Sequence, residues 1–190
     1  MKVYKSLDHL PRFNNPVVTV GSFDGVHLGH HQILDYLKKG AKKYDGESVV
    51  ITFDPHPQIF LHPEREDFFL INSLNDNIKL IEAQGIDHII IIPFDLEFSQ
   101  LSFIQFFTIL KEKIGLRAIV MGPNHNFGKN REGNCETIQQ ICAKNGIEVI
   151  LIPEFIMEEN KVRSSKIREH IRNQNFTKAE QLLGYPFKKK

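Results

Sequence analysis

The stretch GSFDGVHLGHHQIL, residues 21–34, follows the apolar run PVVTV at 16–20 and decides how the rest of the chain is read. The apolar run has the character of a short buried strand. Ile33, Leu34 and Leu37 recur at helical spacing, so the glycine-bearing segment joins a strand to a helix. Gly21 and Gly25 allow a tight turn and let a ligand approach main-chain N–H groups. At the start of the helix, unpaired N–H groups and a macrodipole of about half a positive charge favour an anion. His27 and His30 lie three apart on one face of the first turn and aim at that anion, with Gly29 keeping the face narrow. His31 is turned about 100° away from His30 and is left out. The segment predicts a phosphate site.

The surrounding chain limits what such a site can serve. With 190 residues, 41% hydrophobic and 25% charged, there is enough apolar material for one sizeable core, and a single domain is expected over 1–187. A formal charge of +1 creates no field that would gather nucleic acid, so no nucleic-acid partner is expected. The opening residues are too polar for a signal peptide and the apolar runs too short to cross a bilayer, which predicts no membrane association and a cytoplasmic location. Cys135 and Cys142 are seven apart, without zinc-knuckle spacing, and read as two reduced helix residues. Residues 188–190 read as a solvated basic tail.

Apolar runs at 17–20, 48–53, 88–92, 118–121 and 148–152 alternate with helical patterns at 27–44, 75–84, 103–114 and 136–145. That alternation predicts an α/β fold, a Rossmann-like open parallel sheet whose strands are buried on both faces. Gln84-Gly85 and Asn145-Gly146 are helix stop signals. Two more helices are expected at 164–172 and 176–183. Open α/β sheets bind ligands beyond the carboxyl ends of their strands. Four segments rich in His, Arg and Gly fall there: the opening loop, DPHP at 54–57, GPNHNFGKNREG at 122–133 and RSSKIR at 163–168.

In TFDPHP, at 52–57, two prolines stiffen the turn that presents Asp54 and His56, and Phe53 adds an aromatic wall; a plain strand terminator is the competing reading. The loop at 122–133 carries Lys129 and Arg131 for phosphate and Phe127 for stacking on a planar ring. Arg163, Lys166 and Arg168 open a late helix that Ser164 and Ser165 could cap, forming a second anion site. A metal centre built from His27, His30, His31 and His56 competes with the phosphate reading, but it lacks a carboxylate ligand and the wider spacing of a helical His pair.

The pattern GxFDGxHxGH together with SSxIR resembles the HxGH nucleotidyltransferase superfamily, and TFDPHP, GxxxxFG and the late KAEQLLGYPF narrow the resemblance. From about residue 17 to 187 the chain is similar to the FMN adenylyltransferase (FAD synthetase) module of prokaryotic bifunctional riboflavin kinase/FMN adenylyltransferases. In that family a riboflavin kinase domain follows the segment matching 183–187; no such domain is expected in this sequence, riboflavin phosphorylation is not assigned to it, and a separate riboflavin kinase is one source of FMN that the resemblance allows. The resemblance implies transfer of AMP from ATP to FMN, giving FAD and pyrophosphate, with Mg2+ accompanying ATP. It implies catalytic roles for His27, His30 and Arg168, and ATP contacts from Gly21, Ser22, Phe23, Asp24, Gly25, Gly29, Ser164 and Ser165. Phe53, Asp54, Pro55, His56, Pro57, Asn124, Phe127 and Arg131 would meet FMN. Ser22, Asn124 and Arg163 depart from the common pattern, and since Asn124 lacks a charge no metal ligand is assigned. Two alternatives stay open: an HxGH transferase with another acceptor, and a flavin- or nucleotide-binding module without turnover, to which those departures point.

Overall fold

A computed structural model describes residues 1–122, 128–129, 132–157 and 160–188. The chain builds β1 (Lys2–Tyr4), β2 (Val17–Val20), α1 (Leu28–Lys43), β3 (Ser48–Asp54), α2 (Pro57–Leu61), α3 (Leu74–Ala83), β4 (His88–Pro93) and α4 (Leu96–Ser99). It continues through α5 (Phe103–Ile114), β5 (Ala118–Met121), α6 (Cys135–Lys144), β6 (Glu148–Leu151), β7 (Ile156–Met157), β8 (Asn160–Lys161), α7 (Ser164–Arg172) and α8 (Phe176–Leu183). Six strands form one parallel sheet in the order β1-β4-β3-β2-β5-β6, and β7 and β8 pair separately as an antiparallel hairpin.

The apolar runs explain both faces of this sheet, because successive strand residues point to opposite sides. Val18, Val20, Val49, Ile51, Ile90 and Ile92 pack with Phe103, Phe106, Phe107 and Leu110 of α5 and Ile138 and Cys142 of α6. Their neighbours Val17, Val50, Ile89 and Ile91 pack with Ile33, Leu34, Leu37 and Ala41 of α1 and Ile81 of α3. A third cluster joins Ile71, Val162 and Ile167 to Ala179, Leu182 and Leu183 of α8. Gln84 and Asn145 are the C-caps of α3 and α6, and Gly85 and Gly146 adopt positive φ just beyond, as the stop signals require.

Four features differ from the sequence expectation. A sixth strand, β1, pairs with β4 at one sheet edge. The strand expected to be doubly buried at 148–152 is instead the opposite edge, where Glu148 to Ile150 are half-buried and Leu151 is exposed. His27 is not the first residue of α1 but its N-cap. Arg163, not a serine, is the N-cap of α7, and its side chain makes no capping hydrogen bond.

β2 has β3 on one side and β5 on the other, so the connections leaving the carboxyl ends of β2 and β5 diverge. A crevice opens where such connections part. His27, Gly29 and His30 from the first connection and Gly122 from the second all line it.

Candidate functional site

Three clefts run along this edge and share walls. The first, of about 310 Å3, is lined by His27, Gly29 and His30, by Gln32 and Ile33, and by Glu154, Lys161, Arg163 and Ser164. The second, of about 350 Å3, has Ser164 in common with it and adds Ser22, His56, Arg65, Asp67, Ser165, Arg168 and Arg172. The third, of about 550 Å3, has Gln58 in common with the second and is built mainly from Phe53, Pro57, Leu61, Phe94, Phe98 and Phe106.

His27 is 5% exposed, and its Nδ1 accepts the His30 N–H at 3.3 Å, which closes the first turn of α1. Because Nδ1 accepts, the neutral ring carries its proton on Nε2. Burial, with the charge of nearby His31 second, pushes its pKa down to about 3, so the ring is neutral at physiological pH. The His30 ring stacks on it with centroids 3.7 Å apart and lies 5.0 Å from Phe23. A Cβ on Gly29 would sit 3.2 Å from the His27 ring and 3.3 Å from the Val162 carbonyl, so the narrow face is a packing requirement.

The glycine loop contributes shape more than donors. The N–H of Gly21 donates to the Ile51 carbonyl at 3.0 Å and that of Gly25 to Asn77 Oδ1 at 3.2 Å, so these two donors are engaged within the protein. Phe23, Gly25 and Val26 all have positive φ, an arrangement costly for a β-branched residue and held by the surrounding contacts. Asp24, 1% exposed, accepts the N–H groups of Ile71 and Asn72 and a 2.6 Å bond from Arg168 Nη2. Arg168 also donates through Nε to the Phe69 carbonyl and lies over the Phe68 ring at 4.2 Å. Asp24 thus holds the Arg168 guanidinium in place. Ser164 Oγ donates to the Asp24 carbonyl at 3.0 Å, which corrects its expected capping role.

On the other side, His56 caps α2 through Nδ1, which accepts the Gln58 N–H at 3.1 Å, and its ring is 5.0 Å from Phe68. Burial, partly opposed by the Asp24 carboxylate, pushes its pKa down to about 4. Phe53 meets Phe94 and Phe98 at 5.7 and 5.6 Å, forming the aromatic wall. Asp54 and Pro55 end the strand without lining any of the three clefts. Asn124, Phe127 and Arg131 lie outside the described residues. Ser22 and Ser165 line the second cleft, Pro57 the third and Gly29 the first.

Sequence reading missed Gln32, Glu154 and Lys161 in the first cleft, Arg65, Asp67 and Arg172 in the second, and Phe94 and Phe98 in the third. Phe94 had a usable signal: it follows β4 at the same sheet edge as the four chosen segments. Gln32 is two residues from His30 on α1 and its place in the first cleft could have been read from that proximity, whereas Glu154, Lys161 and Arg172 reach their clefts through long-range packing.

Asp24 is saturated by its three donors, and Glu154 holds Lys161 and, at 3.1 Å, Arg163. Among the described residues no group of three His, Cys, Asp or Glu side chains could hold a metal ion. No helix among them is long and apolar enough to cross a membrane.

The chain matches the FAD synthetase family over residues 10–166. It belongs to that family. Among curated FAD synthetase relatives, a bifunctional riboflavin kinase/FMN adenylyltransferase from Buchnera aphidicola subsp. Schizaphis graminum is 34% identical over 190 residues, covering 98% of this chain and 61% of the relative. An FAD synthetase from Listeria monocytogenes is 31% identical over 176 residues, covering 90% and 69%. The chain therefore spans less than two thirds of the bifunctional relative's length. Among solved structures, one described as a macrolide-efflux protein from Streptococcus pneumoniae superposes with a TM-score of 0.85 at 28% identity, over 98% of this chain and 60% of the other. A pantoate-beta-alanine ligase from Francisella tularensis, with a TM-score of 0.53 at 15% identity over 96% of this chain and 86% of the ligase, shares the fold.

Proposed function

We propose that this FAD synthetase family member is an FMN adenylyltransferase, joining FMN and ATP to give FAD and pyrophosphate. The observation that carries the reading is the continuity of three clefts. A basic compartment with Arg65, Arg168 and Arg172 lies between the histidine cleft and the aromatic one, sharing Ser164 with the first and Gln58 with the second. Two substrates joined through phosphates need that arrangement: the nucleoside in the histidine cleft, the flavin ring among Phe53, Phe94 and Phe98, and the phosphates between them.

A phosphate monoester has a second pKa of about 6, so the attacking oxygen of FMN is largely ionised at neutral pH and no general base is required. Attack on the α-phosphorus of ATP forms the new P–O bond as the bond to the β-phosphate oxygen breaks, and pyrophosphate leaves with the electron pair. The protein's task is to hold two anions together and stabilise charge that grows on the phosphoryl oxygens. Neutral His27 can offer Nε2–H as a donor, and His30 is held against it by stacking. Arg168 is kept in place by Asp24 and the Phe69 carbonyl, so its charge is oriented before substrate arrives.

Magnesium, bound with ATP, would lower the charge on the phosphates. With Asp24 and Glu154 engaged by protein groups, the metal would be held by the nucleotide and water. The reading also places the protein in the cytoplasm, where ATP is abundant, with FMN supplied by a riboflavin kinase.

Incubation with ATP, magnesium and FMN, reading FAD and pyrophosphate together, tests the reading, with riboflavin as the parallel control. Equimolar FAD and pyrophosphate from FMN are expected. Flavin binding without either product would overturn it in favour of a binding module.

A further inference from the structure

The second cleft holds two arginines that no sequence motif marks. Arg172 stands four residues beyond Arg168 and eight beyond Ser164, so the three share one stripe of α7. Arg65 approaches from the segment between α2 and α3. Both arginines face a single carboxylate. Arg65 grips Asp67 in a two-pronged bond, Nε to Oδ1 at 3.1 Å and Nη2 to Oδ2 at 2.9 Å, while Arg172 Nη1 lies 3.8 Å from the same Oδ2. Arg65 is also anchored by Gln58, whose Oε1 accepts from Nη1 at 3.3 Å. All three charged side chains are about half-exposed, and ion pairs of that kind are weak and easily exchanged.

The lining carries three guanidinium groups and one carboxylate, Asp67, and even with Asp24 bonded to Arg168 from beneath and His56 neutral the compartment is net positive. Asp24 is buried and fully bonded, so it cannot yield. Asp67 is exposed and can. A phosphate group presents the same two-oxygen edge to an arginine as a carboxylate does, with more charge.

We infer that Asp67 is a built-in stand-in for phosphate: the terminal phosphates of ATP, and then pyrophosphate, displace it from Arg65 and Arg172, and its return helps expel pyrophosphate. The placement of ATP rests on the proposed adenylyltransferase reading, since it is Ser164, shared with the histidine cleft, that directs the far end of a triphosphate into this compartment. The exchange itself breaks no covalent bond. Arg65 and Arg172 are binding residues for the leaving group, and Asp67 is its internal competitor.

Direct binding of pyrophosphate to the whole protein, by calorimetry without ATP or FMN, tests this apart from turnover. Arg65→Ala and Arg172→Ala are expected to weaken pyrophosphate binding by about tenfold each, the scale of one lost charge-assisted contact, while Arg65→Lys restores only part. Asp67→Asn, which removes the competing charge and keeps the shape, is expected to tighten binding by about threefold or more and to strengthen product inhibition by pyrophosphate. Unchanged pyrophosphate affinity in all three, with circular dichroism confirming the fold, overturns the inference. So does a loss confined to FMN binding, or weakening in the arginine variants without tightening in Asp67→Asn. The binding pattern in a protein that makes no FAD would sink the adenylyltransferase reading and leave the exchange standing; normal FAD synthesis with unaltered pyrophosphate binding would do the reverse.

Discussion

Arg168 Nη2 donates to Asp24 Oδ2 at 2.6 Å, tying helix α7 to the loop after β2 across 144 residues of sequence. Both side chains are largely shielded, at 11% and 1% exposure, so the pair organises the site from beneath. Removing one partner of a buried pair leaves the other charge uncompensated. Asp24→Ala should therefore destabilise the fold by about 3 kcal/mol, and it also strips an acceptor from two backbone N–H groups. Thermal unfolding checks this, and an unaltered midpoint would show that the pair contributes no stability.

His30→Ala is expected to lower turnover about 100- to 1000-fold, the range seen when one oriented donor is lost from a transition state. FAD formation at saturating ATP and FMN is the measurement. Wild-type kinetics would remove His30 from the reacting centre.

Acid should destabilise the protein through its buried histidines. His27 and His56 have pKa values pushed down to about 3 and about 4 from an ordinary 6.5, so below pH 6.5 the unfolded chain binds protons that the folded one refuses. Stability is then highest above about pH 6.5 and falls as pH drops, until each folded-state pKa is passed. His27→Gln should flatten the slope of unfolding free energy between pH 6.5 and 4.5. A slope identical to wild type would contradict the neutral, buried ring.

Phe98→Ala should raise the KM for FMN severalfold while sparing that for ATP, because Phe98 packs against Phe53, Phe94 and Phe106 in the third cleft. A selective effect on ATP would reverse the assignment of the two substrates.

Gly25→Ala should cost about 1 kcal/mol from its φ of +82° alone, and the added Cβ would meet Ile71 Cδ1 at 3.0 Å. Reduced kcat together with a lower unfolding midpoint is expected. Retention of both would mean that the loop relaxes freely.

The β2–loop–α1 unit was legible because its signals are local: an apolar run, three glycines and a helical repeat within the 22 residues 16–37. The same holds for α3, α5 and α6, whose periodicity agrees with the structure, as do the stop signals of α3 and α6. β1 escaped because it has only three residues, and pairing with β4 creates it. The five-residue α2 and four-residue α4 are too short for a period to register. In the site, the histidine face could be read from spacing and the Phe53 wall from its place at the end of a strand, whereas the capping role given to Ser164 could not survive the closer attraction of the Asp24 carbonyl. Arg65 and Asp67 are two apart, yet their meaning depends on Arg172 arriving from another helix.

The Tyr185 hydroxyl donates to the Gly25 carbonyl and accepts from Asn72 Nδ2 at 2.7 Å, so a phenol reports directly on the loop that shapes the histidine cleft. The sequence has no tryptophan and four tyrosines. Ultraviolet emission from this protein is therefore tyrosine emission, and Tyr185 gives it an intrinsic optical probe at the base of the glycine loop, readable by comparison with Tyr185→Phe and requiring no attached dye.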